Sequence, residues 1–99
     1  MKPYDIVRNN DSWTKDYNIL FFDQPVGTGL SYADETVKDV YCKNMSCVAD
    51  DFYNAFHELI HNTPGCLNQL KFKLDHKFII FGESYAGKYA PAIAEKFLR

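Results

Sequence analysis

The apolar residues of this chain follow two different spacings. Ile19–Phe22 and Phe78–Phe81 are apolar at every position, which is typical of strands in the middle of a parallel sheet that is covered on both faces. From about residue 46 to 61, apolar residues recur every three or four positions and predict an amphipathic helix. Its apolar positions are Val48, Phe52, Ala55, Phe56, Leu59 and Ile60. A second helix is predicted from about Ala86 to Leu98.

This order of elements predicts an α/β fold, in which central parallel strands are joined by a right-handed crossover helix. A short strand is predicted near Asp5–Arg8, a Pro/Gly loop over residues 24–35 and a polar crossover over 36–47, and Thr63–Gly65 is predicted to end the first helix. Two strands are at best a marginal sheet on their own. We therefore expect the chain to be part of a larger domain.

The second apolar run leads into a Gly, a Ser and then small residues, which is the layout of a nucleophile elbow. In this sharp turn between a strand and a helix, the backbone is so crowded that the residues two positions before and two positions after the Ser must be small. Gly82 lies two residues before Ser84, and Ala86 and Gly87 follow it. The strict pattern has Gly where Ala86 stands. The spacing alone also allows Ser84 to be only a helix cap.

Three blocks of the sequence resemble one family. Gly82–Pro91 closely resembles the active-serine motif of the serine carboxypeptidases, which have the α/β-hydrolase fold. Asn18–Tyr32 resembles the strand and loop that precede this motif, and Asn9–Trp13 is similar to a short lead-in. The resemblance implies that residues 1–99 are an incomplete α/β-hydrolase domain. The missing parts are the N-terminal strands with the Gly-rich oxyanion loop and the C-terminal part with the catalytic Asp and His.

The resemblance also implies a role for three consecutive residues. Ser84 Oγ attacks the peptide carbonyl, and the backbone N–H of Tyr85 is one oxyanion donor while its ring lines the side-chain pocket. Glu83 binds the free C-terminal carboxylate of the substrate. Two ionised carboxylates repel each other, so one of them must carry a proton, which favours activity at acidic pH. The expected substrates are peptide or protein C-termini, and no cofactor or metal is expected.

The catalytic triad is incomplete in this chain. In α/β-hydrolases the acid and the His follow the nucleophile, but after Ser84 there is neither His nor Asp, and the only acid is Glu95. His57, His61 and His76 all precede the serine. No third ligand supports a zinc site at His57 and His61, so we interpret them as surface residues. We expect the isolated chain to be inactive. The alternatives are a non-catalytic remnant and a related acyltransferase or esterase.

Charge and hydropathy exclude several classes of partner. The formal net charge is −2, from 11 basic and 13 acidic residues that are interspersed, so neither nucleic-acid binding nor an acidic tail is predicted. No apolar run is long enough to span a membrane. Residues 1–15 lack the apolar core of a signal peptide. The family resemblance implies a lysosomal, vacuolar or secreted protein, for which this absence fits a truncated start, and the oligomeric state stays open.

The cysteines and two sequons fit an oxidising compartment. Cys42 and Cys47 can pair with each other, either can pair with Cys66, or all three can be free thiols. Asn44 begins an Asn-Met-Ser sequon between the first two cysteines, which makes it a candidate for N-glycosylation. Asn10 begins a second sequon next to a Trp.

Overall fold

The computed structural model describes residues 4–61 and 77–99. Within these ranges the regular elements are a short 3-10 helix, Trp13–Lys15, and two α-helices, α1 (Met45–His61) and α2 (Ala86–Leu98). The predictions for Thr63–Gly65, Cys66 and His76 lie outside the described residues. Among the described residues, no helix is long and apolar enough to cross a membrane.

Helix α1 confirms the amphipathic helix that its apolar spacing predicts. It buries Val48, Ala49, Phe52 and Phe56, whereas Ala55, which the spacing placed on the apolar face, is exposed. The buried face therefore runs through positions 49, 52 and 56, which are three and four residues apart, and Ala55 lies outside it. Small alanines fit either face, so the large aromatic residues decide which side of α1 is buried.

Helix α2 lies against α1, and their contact is the core of the described structure. Ile93 of α2 is buried together with Phe52 and Phe56. The Phe97 ring meets the ring of Phe56 edge-on at a centroid distance of 5.5 Å, a favourable arrangement of two aromatic quadrupoles. Nζ of Lys96 lies 2.7 Å from a carboxylate oxygen of Asp50 and so joins the two helices at their edge.

The predicted α/β fold is wrong for this structure, because neither apolar run forms a strand. Residues 19–23 and 77–82 are irregular, as is the predicted strand near Asp5–Arg8, and no strand occurs among the described residues. A strand is held by a ladder of backbone hydrogen bonds to a neighbour. No such bond joins residues 19–23 to residues 77–82, so the parallel pair and its crossover are absent from the described part of the chain.

Each apolar run instead packs on the helix pair through one side only. The ring of Phe22 lies 4.7 Å from that of Phe52, and the ring of Phe78 lies 5.0 Å from that of Phe56. The other side faces solvent, where Phe21 and Phe81 are 85% and 75% exposed. The described residues therefore cover the apolar side chains of these two runs only in part.

Candidate functional site

The backbone of Ser84 adopts an unusual conformation. Its φ angle is +57°, and among the described non-glycine residues only Asp39 shares a positive φ. The left-handed conformation costs a residue with a Cβ atom about 1–2 kcal/mol. Such strain persists where the surroundings impose it and is concentrated at functional sites. The side chain of Ser84 is exposed, so the strained turn presents its hydroxyl to solvent.

Close packing across the turn explains why small residues, Gly82 and Ala86, lie two positions before and two positions after Ser84. A Cβ atom on Gly82 would lie 2.9 Å from the Cβ of Ala86 and 3.0 Å from its carbonyl oxygen. Carbon atoms in contact are normally about 3.5–4.0 Å apart. A side chain at position 82 would therefore push the segment before the turn away from α2. A Cβ on Gly87 would meet nothing within 4 Å, so the turn does not need glycine there.

Three backbone hydrogen bonds carry the turn into α2. The N–H groups of Ala86, Gly87 and Lys88 donate to the carbonyls of residues 83, 84 and 85 at 3.1, 3.0 and 2.9 Å. The N–H of Tyr85 has no acceptor among the described residues. It lies at the N-terminus of α2, where unpaired N–H groups and the helix dipole favour negative charge. The turn thus places an unused donor directly after the serine.

The ring of Tyr85 is exposed by 54% but is held on two sides. It meets the ring of Tyr89 edge-on at 5.2 Å, and Tyr89 packs against the buried core. Nζ of Lys88 lies 5.1 Å from the centroid of the Tyr85 ring, within the range of a cation–π interaction. Tyr85 therefore forms a supported aromatic wall beside Ser84.

Glu83 completes the group of consecutive residues. Its side chain is exposed, and it has no hydrogen bond or ion pair with any described residue. A carboxyl group in this position is available to a ligand. An open apolar groove of about 620 Å³ lies between residues 78–80 and α2, but none of the residues 83–85 lines it.

The structure brings no general base to Ser84 within the described residues. The His57 ring lies against Tyr53 and 4.2 Å from the ring of His61 on α1, where both histidines are exposed. Glu95 pairs with Arg99 at the end of α2. No hydrogen bond joins Ser84 to a described His, Asp or Glu.

The Pro/Gly loop is organised by a residue that the sequence analysis did not identify. Oδ2 of Asp23 accepts a hydrogen bond from the N–H of Leu30 at 2.7 Å, and the hydroxyl of Ser31 donates to the Asp23 carbonyl at 2.8 Å. A Cβ on Gly29, whose φ is +60°, would collide with that carboxylate, so a side chain there would strain the backbone and displace the Asp23 side chain. No hydrogen bond links this loop to the turn at Ser84 in the described part of the chain.

The cysteine pairing that the sequence left open is settled for two of the three residues. Cys42 and Cys47 form a disulfide with a Cα–Cα distance of 5.4 Å. Together with Asp51, they are the one group of three possible metal ligands among the residues the structure describes. Because the sulfurs are bonded to each other, they are not available as thiolate ligands.

Comparison with known proteins identifies the family. A profile described as "Serine carboxypeptidase" matches residues 2–99. The chain is 42% identical over 89 residues to "Probable serine carboxypeptidase CPVL" of Homo sapiens, covering 89% of this chain and 17% of that protein. It is 37% identical over 94 residues to "Pheromone-processing carboxypeptidase KEX1" of Arthroderma benhamiae, covering 95% of this chain and 14% of that protein.

A third relative supports the same assignment. The chain is 39% identical over 87 residues to "Serine carboxypeptidase-like 26" of Oryza sativa subsp. japonica, covering 88% of this chain and 16% of that protein. No solved structure gives a significant match. The chain thus spans about a sixth of the length of the curated relatives it matches.

Proposed function

Because this chain belongs to the serine carboxypeptidase family, we propose that Ser84 is the nucleophile of an enzyme that releases C-terminal residues from peptides. The observation that supports this most is the backbone of Ser84. An exposed serine is held at φ +57° in a crowded turn at the start of a helix. A serine that only capped the helix would accept a hydrogen bond from the first turn, whereas no side-chain cap occurs at this end of α2.

The proposed chemistry has two steps. Ser84 Oγ attacks the carbonyl carbon of the last peptide bond, its proton passes to a general base, and the terminal amino acid leaves as a free amine. Water then hydrolyses the acyl-enzyme and regenerates the hydroxyl. The N–H of Tyr85 donates to the oxyanion in both steps, since it lies next to the nucleophile and has no acceptor among the described residues.

Glu83 is proposed to select for a free C-terminus. Its unpaired, exposed carboxyl group directly precedes the nucleophile. A substrate carboxylate at hydrogen-bond distance requires a proton on one of the two groups, because two ionised carboxylates repel each other. Binding of the C-terminus therefore strengthens as the pH falls. The ring of Tyr85, supported by Tyr89 and Lys88, lines the pocket for the preceding side chain.

The remaining parts of the site are proposed to lie elsewhere in a longer polypeptide. The general-base His, its acid partner and the second oxyanion donor have no counterpart beside Ser84 among the described residues. This chain is accordingly proposed to be one portion of a carboxypeptidase domain and inactive by itself. The disulfide between Cys42 and Cys47 favours an oxidising compartment, in keeping with a lysosomal, vacuolar or secreted enzyme.

The test compares pH profiles of the full-length protein on a blocked peptide with a free carboxyl group and on its C-terminal amide. Glu83→Gln retains hydrogen-bond donors but cannot titrate. It is expected to retain chemistry at Ser84 while losing both the rise in kcat/KM toward acid and the preference for the free acid. Ser84→Ala should lower turnover by about 10⁶-fold on both substrates.

Two results would contradict the proposal. If Glu83→Gln retains the acid preference and still discriminates against the amide, Glu83 is only a charge on the surface. If Ser84→Ala retains turnover, another residue is the nucleophile.

A further inference from the structure

The sequon at Asn44 lies inside the covalent loop that the Cys42–Cys47 disulfide closes. Asn44, Met45 and Ser46 all stand between Cys42 and Cys47, whose Cα atoms are 5.4 Å apart across the disulfide. If the same six residues were extended, these two Cα atoms would lie roughly 17 Å apart, at about 3.4 Å per residue. The closed disulfide therefore prevents the sequon from extending.

The two polar atoms of the Asn44 side chain have different surroundings. Oδ1 accepts a hydrogen bond from the N–H of Cys47 at 2.9 Å, and the backbone carbonyl accepts from the N–H of Val48 at 3.3 Å. Asn44 is thus the N-cap of α1, a position that asparagine favours. Nδ2 has no acceptor among the described residues, and the residue is exposed. The atom that a glycan modifies is free, and the atom that caps the helix is a different one.

We propose that Asn44 can be N-glycosylated only before the Cys42–Cys47 disulfide closes, and that the glycosylated residue still caps α1. In the transfer, Nδ2 forms a bond to the anomeric carbon of an oligosaccharide, the lipid pyrophosphate leaves, and the amide gives up one proton. Oδ1 takes no part and stays an acceptor for Cys47. Disulfide closure then passes two electrons and two protons from the thiols to a protein disulfide oxidant of the same compartment.

The order of the two reactions follows from access to the sequon. The transfer enzyme must contact both the amide of Asn44 and the hydroxyl of Ser46, which lies in the first turn of α1. Once the disulfide and the cap have formed, the segment is bent into that turn and cannot open. Glycosylation and closure therefore compete for the same unfolded loop, and every chain that closes first stays unmodified.

The experiment measures glycan occupancy by mass spectrometry of the full-length protein, expressed behind a secretory leader in a eukaryotic host. The double variant Cys42→Ser/Cys47→Ser is expected to raise occupancy at Asn44 severalfold over the wild type. Reductant added to the cells during synthesis should have the same effect on the wild type. Asn10 provides a control in the same molecule, because its sequon has no flanking cysteines, and its occupancy should not change.

Ser46→Ala should abolish modification at Asn44 in every background. The readout needs neither folding nor catalysis, so its outcome is independent of the proposed carboxypeptidase activity and requires only entry into the secretory pathway. Equal occupancy at Asn44 with and without the cysteines would overturn the proposed competition. An Asn44 that stays unmodified even in the double variant would overturn the site itself.

Discussion

A single methyl group at position 82 is expected to disable the proposed nucleophile. In Gly82→Ala the new Cβ would stand 2.9 Å from the Cβ of Ala86 and 3.0 Å from its carbonyl oxygen, whereas contacting carbons need about 3.5 Å or more. The new Cβ would thus be too close to Ala86 by on the order of 0.6 Å or more. One of the two close atoms is a backbone oxygen, which cannot be relieved by a change of rotamer. Either residues 78–82 or the start of α2 must move, and Ser84 lies between them.

The size of the effect follows from how precisely a nucleophile must be placed. A displacement of about 1 Å costs on the order of 100-fold in rate, so Gly82→Ala should lower kcat/KM of the full-length protein by about 10- to 100-fold. Overpacking should also lower the free energy of unfolding by about 1–3 kcal/mol. Both quantities are measured on the same preparation, by peptide hydrolysis and by thermal unfolding.

Gly87→Ala is the matched control. It adds the same methyl group five residues later, where a Cβ meets nothing within 4 Å. Activity should be unchanged, and the free energy of unfolding should rise by up to about 1 kcal/mol, because alanine favours a helix over glycine. If Gly82→Ala is as active as Gly87→Ala, the crowding of the turn does not position Ser84 and the reasoning fails.

The remaining predictions concern the core and the isolated chain. Phe52→Ala should lower the free energy of unfolding of the full-length protein by about 3–5 kcal/mol, whereas Leu98→Ala, at a position 88% exposed, should change it by less than about 0.5 kcal/mol; equal losses would contradict the assigned core. The 99 residues alone should aggregate, because Phe21 and Phe81 leave apolar surface exposed, and a soluble monomer with a cooperative transition would contradict this. The same preparation should show no turnover of a blocked dipeptide, and turnover abolished by Ser84→Ala would refute that.

The helices could be predicted from the sequence, α1 from the spacing of its apolar residues and α2 from the small residues that follow Ser84. The segments of continuous apolar residues could not be assigned in the same way. Their pattern records that both sides of Phe78–Phe81 are apolar, but a strand exists only if another backbone supplies its hydrogen bonds. The described residues supply no such hydrogen bonds. The continuous apolar pattern therefore indicates that these side chains need to be buried, but it does not determine that the segment forms a strand.

The part of the candidate site that depends on the spacing of small residues could be predicted from the sequence. The small residues around Ser84 indicate a crowded turn, and the structure gives that crowding as distances between Gly82 and Ala86. The carboxylate of Asp23 that closes the Pro/Gly loop was not predicted, because its partner is a backbone N–H seven residues away and leaves no side-chain signature. The contact between Lys88 and the Tyr85 ring was not predicted either, because a lysine near the start of a helix is usually exposed to solvent.

The most direct measurement is to label the full-length protein with an active-site phosphonate and to locate the adduct by peptide mapping. We predict a single adduct on Ser84, formed at a rate that depends on pH through the general base. Ser84→Ala should form no adduct, although its circular dichroism spectrum should match that of the wild type. An adduct on another residue, or labelling that persists in Ser84→Ala, would contradict the central claim that this turn carries the nucleophile.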